Sequence, residues 1–320
     1  MITRTAFVDQ ITRQLEGRFQ EVRLLHTGEN GVVFSARDPA DADARRALRV
    51  PFPSEGADVA HTVRFHRLAE LACAVPHPYI AAGIAMEQVA GMDVMIMELA
   101  GPLRVDHLVT SARPATVHRI LTVMRELATA LDALHAAGIV HGALRPSRVL
   151  LDASGHVKVT GMLLRSGEAP PHTALTPAHV GDPAYMAPEQ WHSTTAAAAM
   201  DVYAAGVIAF ELYTGEPRVT RLAPGVAIHP LVIPANRSLR PDLPLAINEA
   251  LRRATHPDPA MRFATVGAFV DALAAPHTPT AGHPAIGPPT DAALQPVRSS
   301  DLRTVLLLAA LVVVLLMLFL

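Results

Sequence analysis

Lysine is nearly absent from this chain: of its 27 basic residues only Lys158 is a lysine, and the rest are arginine. One missing lysine at a given position therefore carries little weight. Cysteine is as scarce. The single thiol, Cys73, excludes an intrachain disulfide and suits a reducing compartment. Neither charge sign is in excess; a net charge of −2 and a pI near 6.8 give no basic footprint for nucleic acid. Internal repeats are lacking. The N-terminus, MITRTAFVDQITRQ, has no apolar core, so no secretory signal is expected there. The 16 histidines are scattered without metal-ligand spacing, so no metal site is expected.

Apolar residues, in contrast, are plentiful. Half of the 320 residues are hydrophobic, enough for one large domain or two modest ones. From Val305 to Leu320 the run VLLLAALVVVLLMLFL is apolar without interruption. As a helix, 304–320 would span about 24–26 Å, just short of a hydrocarbon core of roughly 30 Å. With Arg298 and Arg303 before it, the run predicts a transmembrane tail anchor with the preceding domain on the cytoplasmic side. Residues 275–303, rich in proline and alanine, read as a linker.

Upstream of that linker the pattern changes once. Short runs such as RFQEVRLLHTG, GVVFSARD, RALRVPFP and DVMIMELA predict strands over about 17–100, interrupted by one helix near Val63 to Val75. From Ala115 onward helices dominate. Ile120, Leu121, Met124, Leu127, Leu131 and Leu134 form a long stripe of helical period, closed by Gly138. A strand-rich part (17–100) followed by a helical part (101–274) predicts an α+β arrangement, with 1–16 as an N-terminal extension.

The motifs along 17–274 resemble, in order and spacing, the eukaryotic-type protein kinase family in its bacterial Ser/Thr branch. HTGENGVV resembles the glycine-rich loop, with Gly28, Gly31 and Val33 in place and His26 at the first glycine. MIMELAG resembles the hinge, with Met97 as gatekeeper and Glu98 opening the linker. VHGALRPSRVLL resembles the catalytic loop, with His141 as its histidine. GDPAYMAPEQW and HPDPAMRF supply Glu189 and Arg262, which pair in the family, and Asp201 resembles the aspartate that tethers the catalytic loop near His141. The resemblance implies a bilobal kinase-like fold. It also implies a nucleotide pocket roofed by Val33 and Ala47, floored by Leu150 and bordered by Gly28, Gly31, Arg49, Met97 and Glu98.

The positions that carry the family's chemistry are altered. The lysine of the third strand is Arg49, and the helix glutamate that should orient it is Leu68, with Glu70 two residues on and rotated about 200° around the helix. The proton-accepting aspartate is Ala143 and the magnesium-binding asparagine is Arg148. The second magnesium ligand is Gly161, followed by Met162 and Leu163, and no acidic residue between Asp152 and Glu168 replaces it. A threonine that normally bonds the catalytic aspartate is Asp182, which faces no like charge once Ala143 stands opposite.

The resemblance and its departures together imply a membrane-tethered pseudokinase, a binding, scaffold or regulatory module without phosphoryl transfer. The alternative is a Ser/Thr kinase or other ATP-dependent transferase with an unusual active site, in which Arg49 and Arg148 substitute for metal charge. A third expectation is a purely structural membrane protein whose pocket is collapsed by side chains such as His26, Arg148 and Met162. No cofactor is required on the first expectation; ATP, if bound, binds without magnesium. The expected partners are the membrane and an unidentified cytoplasmic or membrane protein, with no nucleic acid. Ser166, Thr173 and Thr176 lie where a true kinase could phosphorylate the chain.

Overall fold

The structure is a computed structural model that describes residues 4–28, 31–41, 44–52, 59–109, 115–161, 182–191, 197–216 and 245–275. The first hundred residues build a small lobe around one antiparallel sheet. Its strands are β1 (Gln20–Thr27), β2 (Gly31–Arg37), β3 (Arg45–Pro51), β4 (Gly83–Val89) and β5 (Met92–Glu98), in the order β1-β2-β3-β5-β4. Side chains alternate across each strand, so the sheet has two apolar faces. Val32, Phe34, Leu48, Val50, Val94 and Ile96 share the outer face. The other face carries Val33, Ala47, Arg49, Met95 and Met97, brought level by the registers Val33↔Arg49, Arg49↔Met95 and Ala47↔Met97.

The outer face is covered by helix α1 (Arg4–Glu16), whose Ile11 and Leu15 are fully buried together with Phe19. The stretch expected as an N-terminal extension is therefore part of the small-lobe core. Its apolar residues, Phe7, Val8, Ile11 and Leu15, recur at helical spacing and seal a face that would otherwise meet water. Helix α2 (Val59–Ala74) follows β3 and packs on β4.

A three-stranded sheet, β6 (Leu103–Arg104), β7 (Val149–Leu151) and β8 (Val157–Val159), adjoins the large lobe. A bridge from Ile80 to Val159 and the bond from Ala81 N to Val159 O (3.0 Å) join it to the small-lobe connection. The short helix α3 (Asp106–Val109) precedes α4 (Val117–Ala136), which is capped by the Thr116 hydroxyl accepting from Arg119 N. The predicted stripe on α4 is buried at Ile120, Met124, Leu127, Leu131 and Leu134. Helix α5 (Ala198–Thr214) is buried along nearly its whole length, as an element apolar on all sides must be. Helices α6 (Leu245–Ala254) and α7 (Val266–Ala274) complete the bundle. Asp132 on α4 accepts from the backbone N–H groups of Val266 and Gly267 (3.0 and 2.9 Å), fixing the start of α7 against α4.

The bilobal arrangement agrees with the sequence; the expected membrane helix is corrected. Among the described residues no helix is long and apolar enough to cross a membrane. Residues 304–320, on which that expectation rested, lie outside the described residues, as does the linker expected over 275–303 apart from Ala275. The membrane as a partner and a single-pass topology are withdrawn with it.

Candidate functional site

The inner face of the small-lobe sheet forms one wall of the site. Gly28 N donates to Gly31 O (2.9 Å), closing the loop between β1 and β2. A Cβ on Gly31 would lie 2.3 Å from Val50 O, so only glycine lets this loop press so closely on β3. His26 is the penultimate residue of β1; burial lowers its pKa, and the nearby cations Arg145 and Arg104 lower it further. Arg49 projects from the middle of β3, beside Val33 and Met95. Burial pushes its pKa down, and among the described residues it has no ion-pair partner. Glu70 does not reach it: that carboxylate is exposed and pairs with Arg67 on its own helix at 3.0 Å. Leu68 lies on α2, and its side chain is outside the described residues.

The hinge end of β5 is held from behind. Glu98 Oε1 lies 2.6 Å from Lys158 Nζ, and its Oε2 accepts from Ala82 N at 3.3 Å. The Glu98 side chain therefore ties the small lobe to β8. Leu150, the expected floor residue, is half-buried on β7 between Arg104 and Lys158 of the neighbouring strands.

The opposite wall is the loop from His141 to Arg148. Asp201, near the start of α5, organises it by accepting from His141 N (2.8 Å), Gly142 N (2.9 Å) and His135 Nε2 (2.8 Å). His141 is fully buried, with Nε2 3.1 Å from Thr160 O and Nδ1 3.3 Å from Ala143 N. Those partners suit the neutral ring with its proton on Nε2. Burial outweighs the attraction of Asp201 and pushes the His141 pKa down to about 4. Gln190 adds a tie that motif reading missed: its Nε2 donates to Gly142 O at 3.0 Å while its Oε1 accepts from Ala187 N. Farther out, Arg262 grips Glu189 through two bonds of 2.6 and 2.7 Å.

Arg148 occupies the centre. Its Nη1 donates to Ala143 O (2.9 Å) and to Gly161 O (2.8 Å), bridging the catalytic loop to the second residue after β8. Gly161 has φ +70°, and a Cβ there would lie 3.1 Å from Arg148 Cδ. An aspartate at 161 would thus be strained in the left-handed region and crowded by the arginine. The two departures form one structural unit: the arginine side chain lies where the glycine has none.

Magnesium demands oxygen ligands in a nearly octahedral set. The residues here do not fit it. Gly161 offers no carboxylate, Arg148 is a cation, and the Ala143 and Gly161 carbonyls already accept from Arg148. Among the described residues no group of three His, Cys, Asp or Glu side chains could hold a metal.

The comparison with known families decides what these residues belong to. A family model described as "Protein kinase domain" matches residues 19–225. The chain belongs to the protein kinase family. The serine/threonine-protein kinase PknA of Mycobacterium tuberculosis is 31% identical over 268 residues, covering 82% of this chain and 62% of that protein. The serine/threonine-protein kinase PrkC of Bacillus subtilis is 26% identical over 258 residues, covering 80% of this chain and 40% of that protein. PknD of M. tuberculosis, also a serine/threonine-protein kinase, is 28% identical over 265 residues, 81% of this chain and 40% of its own length. This chain therefore spans about three-fifths of PknA and two-fifths of the other two.

These relatives correct the expectation of a membrane-tethered pseudokinase scaffold. They carry the name of serine/threonine kinases, and among the described residues no helix is long and apolar enough to provide the tether. Met162, Leu163, Ser166, Thr173 and Thr176 lie outside the described residues.

Proposed function

We propose that this protein is an ATP-dependent phosphotransferase of the Ser/Thr kinase type with an unusual active site, in which arginine replaces the metal. The observation that carries the reading is the Arg148 guanidinium, which stands at one of the two metal-ligand positions of the family and is held by Ala143 O and by the carbonyl of the other, Gly161. Arg49, desolvated and without an ion-pair partner among the described residues, adds a second cation on the facing wall. Two fixed positive groups can bind a polyphosphate and stabilise the charge that spreads over the transferring phosphoryl group. Phosphoryl transfer depends mostly on positioning and charge stabilisation, so cations from the protein are a chemically sensible substitute. Val33, Ala47 and Met97 on the inner sheet face, with Leu150 opposite, offer the apolar surface an adenine ring needs.

Transfer of phosphate from γ-labelled ATP to a Ser/Thr peptide mixture, in chelator and in magnesium, tests this reading. Transfer in chelator that Arg148→Ala abolishes is the expected result. Transfer that appears only with magnesium contradicts it. A second reading, a degenerate family member that holds nucleotide without transferring phosphate, is favoured by Ala143, which cannot accept a proton. Nucleotide binding with no transfer in either condition would establish that second reading instead.

A further inference from the structure

Every residue from His156 to Gly161 is tied to another part of the molecule. His156 Nδ1 lies 2.7 Å from Glu126 Oε1 on α4, and Val157 N donates to Glu126 Oε2 at 2.8 Å. Lys158 pairs with Glu98 at the hinge. Val159 N donates to Tyr79 O (2.8 Å), which joins β8 to the small-lobe connection. Thr160 N donates to Arg148 O (2.9 Å), its own carbonyl meets His141 Nε2, and Gly161 O accepts from the Arg148 guanidinium. The segment is a rail that aligns the seat of Arg148, and Glu126 fixes its first end. That first tie is an ion pair with one side in water. The Glu126 side chain is 9% exposed, whereas that of His156 is 55% exposed and free to exchange its proton with solvent.

We propose that Glu126 and His156 are positioning residues of the cleft, a joint that holds β8, and through it the Gly161 carbonyl beneath Arg148, firmly when the imidazole is protonated and loosely when it is not. Its effect on transfer rests on the phosphotransferase reading above. The hydrogen bond to Glu126 and then that carboxylate's charge raise the His156 pKa above the usual 6.5; Asp152, whose Oδ1 accepts from His156 N at 2.9 Å, raises it further, and Arg119 opposes. Arg119 is itself engaged with Gly155 O at 2.7 Å. From the small-lobe connection the Tyr79 ring lies 6.2 Å from the imidazole, and His77, 5.6 Å beyond Tyr79, has its pKa lowered by burial and by Lys158. Loss of the His156 proton leaves the buried Glu126 carboxylate facing a neutral ring. A raised folded pKa means that the hold is complete below pH 6.5 and is lost as the pH rises through the folded value. This is the opposite direction to His141, so the two histidines are separable by pH.

The test measures amide hydrogen exchange over residues 157–161 of the full chain, corrected for the intrinsic pH dependence of exchange, and kcat for transfer beside it, between about pH 6 and 9. The parent is compared with His156→Gln, which removes the charge, and His156→Arg, which keeps it, each checked for folding by its thermal midpoint. Protection in the parent should fall roughly two- to fivefold as the pH rises, the range of an ion pair open to solvent on one side. His156→Gln should show the lower protection at every pH, His156→Arg the higher, and kcat should follow protection in all three. Parent protection that does not change with pH, or a pH dependence that survives in His156→Gln, overturns the joint. Protection that changes while kcat for parent and His156→Gln stays in constant ratio overturns the positioning role and leaves the phosphotransferase reading intact. Absence of transfer by the parent overturns that reading, and the exchange measurement then decides the joint by itself.

Discussion

Replacing Glu189 by alanine removes the carboxylate that grips Arg262 through two short bonds. The Arg262 side chain is completely shielded from solvent, and its remaining contacts are carbonyls: Nη1 to Ala199 O (2.8 Å), Nη2 to Pro257 O (3.0 Å) and Nε to His256 O (2.7 Å). Those acceptors take three of the guanidinium's five N–H groups and do not neutralise its charge. Breaking a buried pair from one side costs about 3–5 kcal/mol, because the stranded ion stays desolvated. For a domain of this size that lowers the midpoint of thermal unfolding by roughly 6–20 °C. The control is Glu70→Ala, which breaks the exposed pair with Arg67 and should cost at most about 1 kcal/mol. Circular dichroism melts of the two variants beside the parent make the comparison. If Glu189→Ala melts within the range of the control, the pair is not a stabilising clamp and the reasoning from burial fails.

The helix at the N-terminus gives a second expectation: Leu15→Ala, at a fully buried position, should destabilise the small lobe by about 2–5 kcal/mol, measured by urea unfolding. An effect below about 0.5 kcal/mol, the range of surface substitutions, would mean that α1 does not seal the sheet. Gly161→Asp should lower stability by about 1–2 kcal/mol or more through its positive φ alone, and should confer no magnesium binding by calorimetry while Arg148 remains. Magnesium binding by that single variant would refute the coupling of the two positions. His141 supplies a pH dependence. Its folded pKa, about 4, is depressed below the unfolded value near 6.5, so the unfolded chain binds the extra proton in between. Stability is therefore full above pH 6.5 and falls as the pH drops toward 4, by about 2 kcal/mol between pH 6.5 and 5. The stability difference between the parent and His141→Asn should shrink by that amount over this window; a constant difference refutes the assignment.

Much of this architecture was legible in the chain because its motifs are local and ordered. Strand runs, the α4 stripe, and the spacings that pair Glu189 with Arg262 and Asp201 with the His141 loop need only sequence order to be read. The α1 helix carried a readable signal in Phe7, Val8, Ile11 and Leu15. The clue there is amphipathic period and not net apolarity, so the stretch has no continuous apolar core. Other features depend on side chains meeting from distant parts of the chain. Lys158 turning to Glu98, Gln190 reaching Gly142, and Arg148 lying in the space left by Gly161 are of this kind. At Arg148 the sequence showed a charge unsuited to a metal ligand. The structure adds the two carbonyls that hold it in place. The apolar C-terminus shows the opposite hazard: composition alone prompted a membrane helix, and no helix among the described residues supports it.

The central claim is that arginine has replaced the metal in a nucleotide cleft of the kinase family. Thermal unfolding of the full chain, titrated with ATP in chelator and again with magnesium, tests it most directly. Ligand at 100 times its Kd stabilises the fold by about 2.7 kcal/mol. The account predicts that shift in chelator, with magnesium leaving it unchanged or reducing it, since the metal competes with Arg49 and Arg148 for the phosphates. A shift that appears only when magnesium is added, or no shift in either condition, would contradict it.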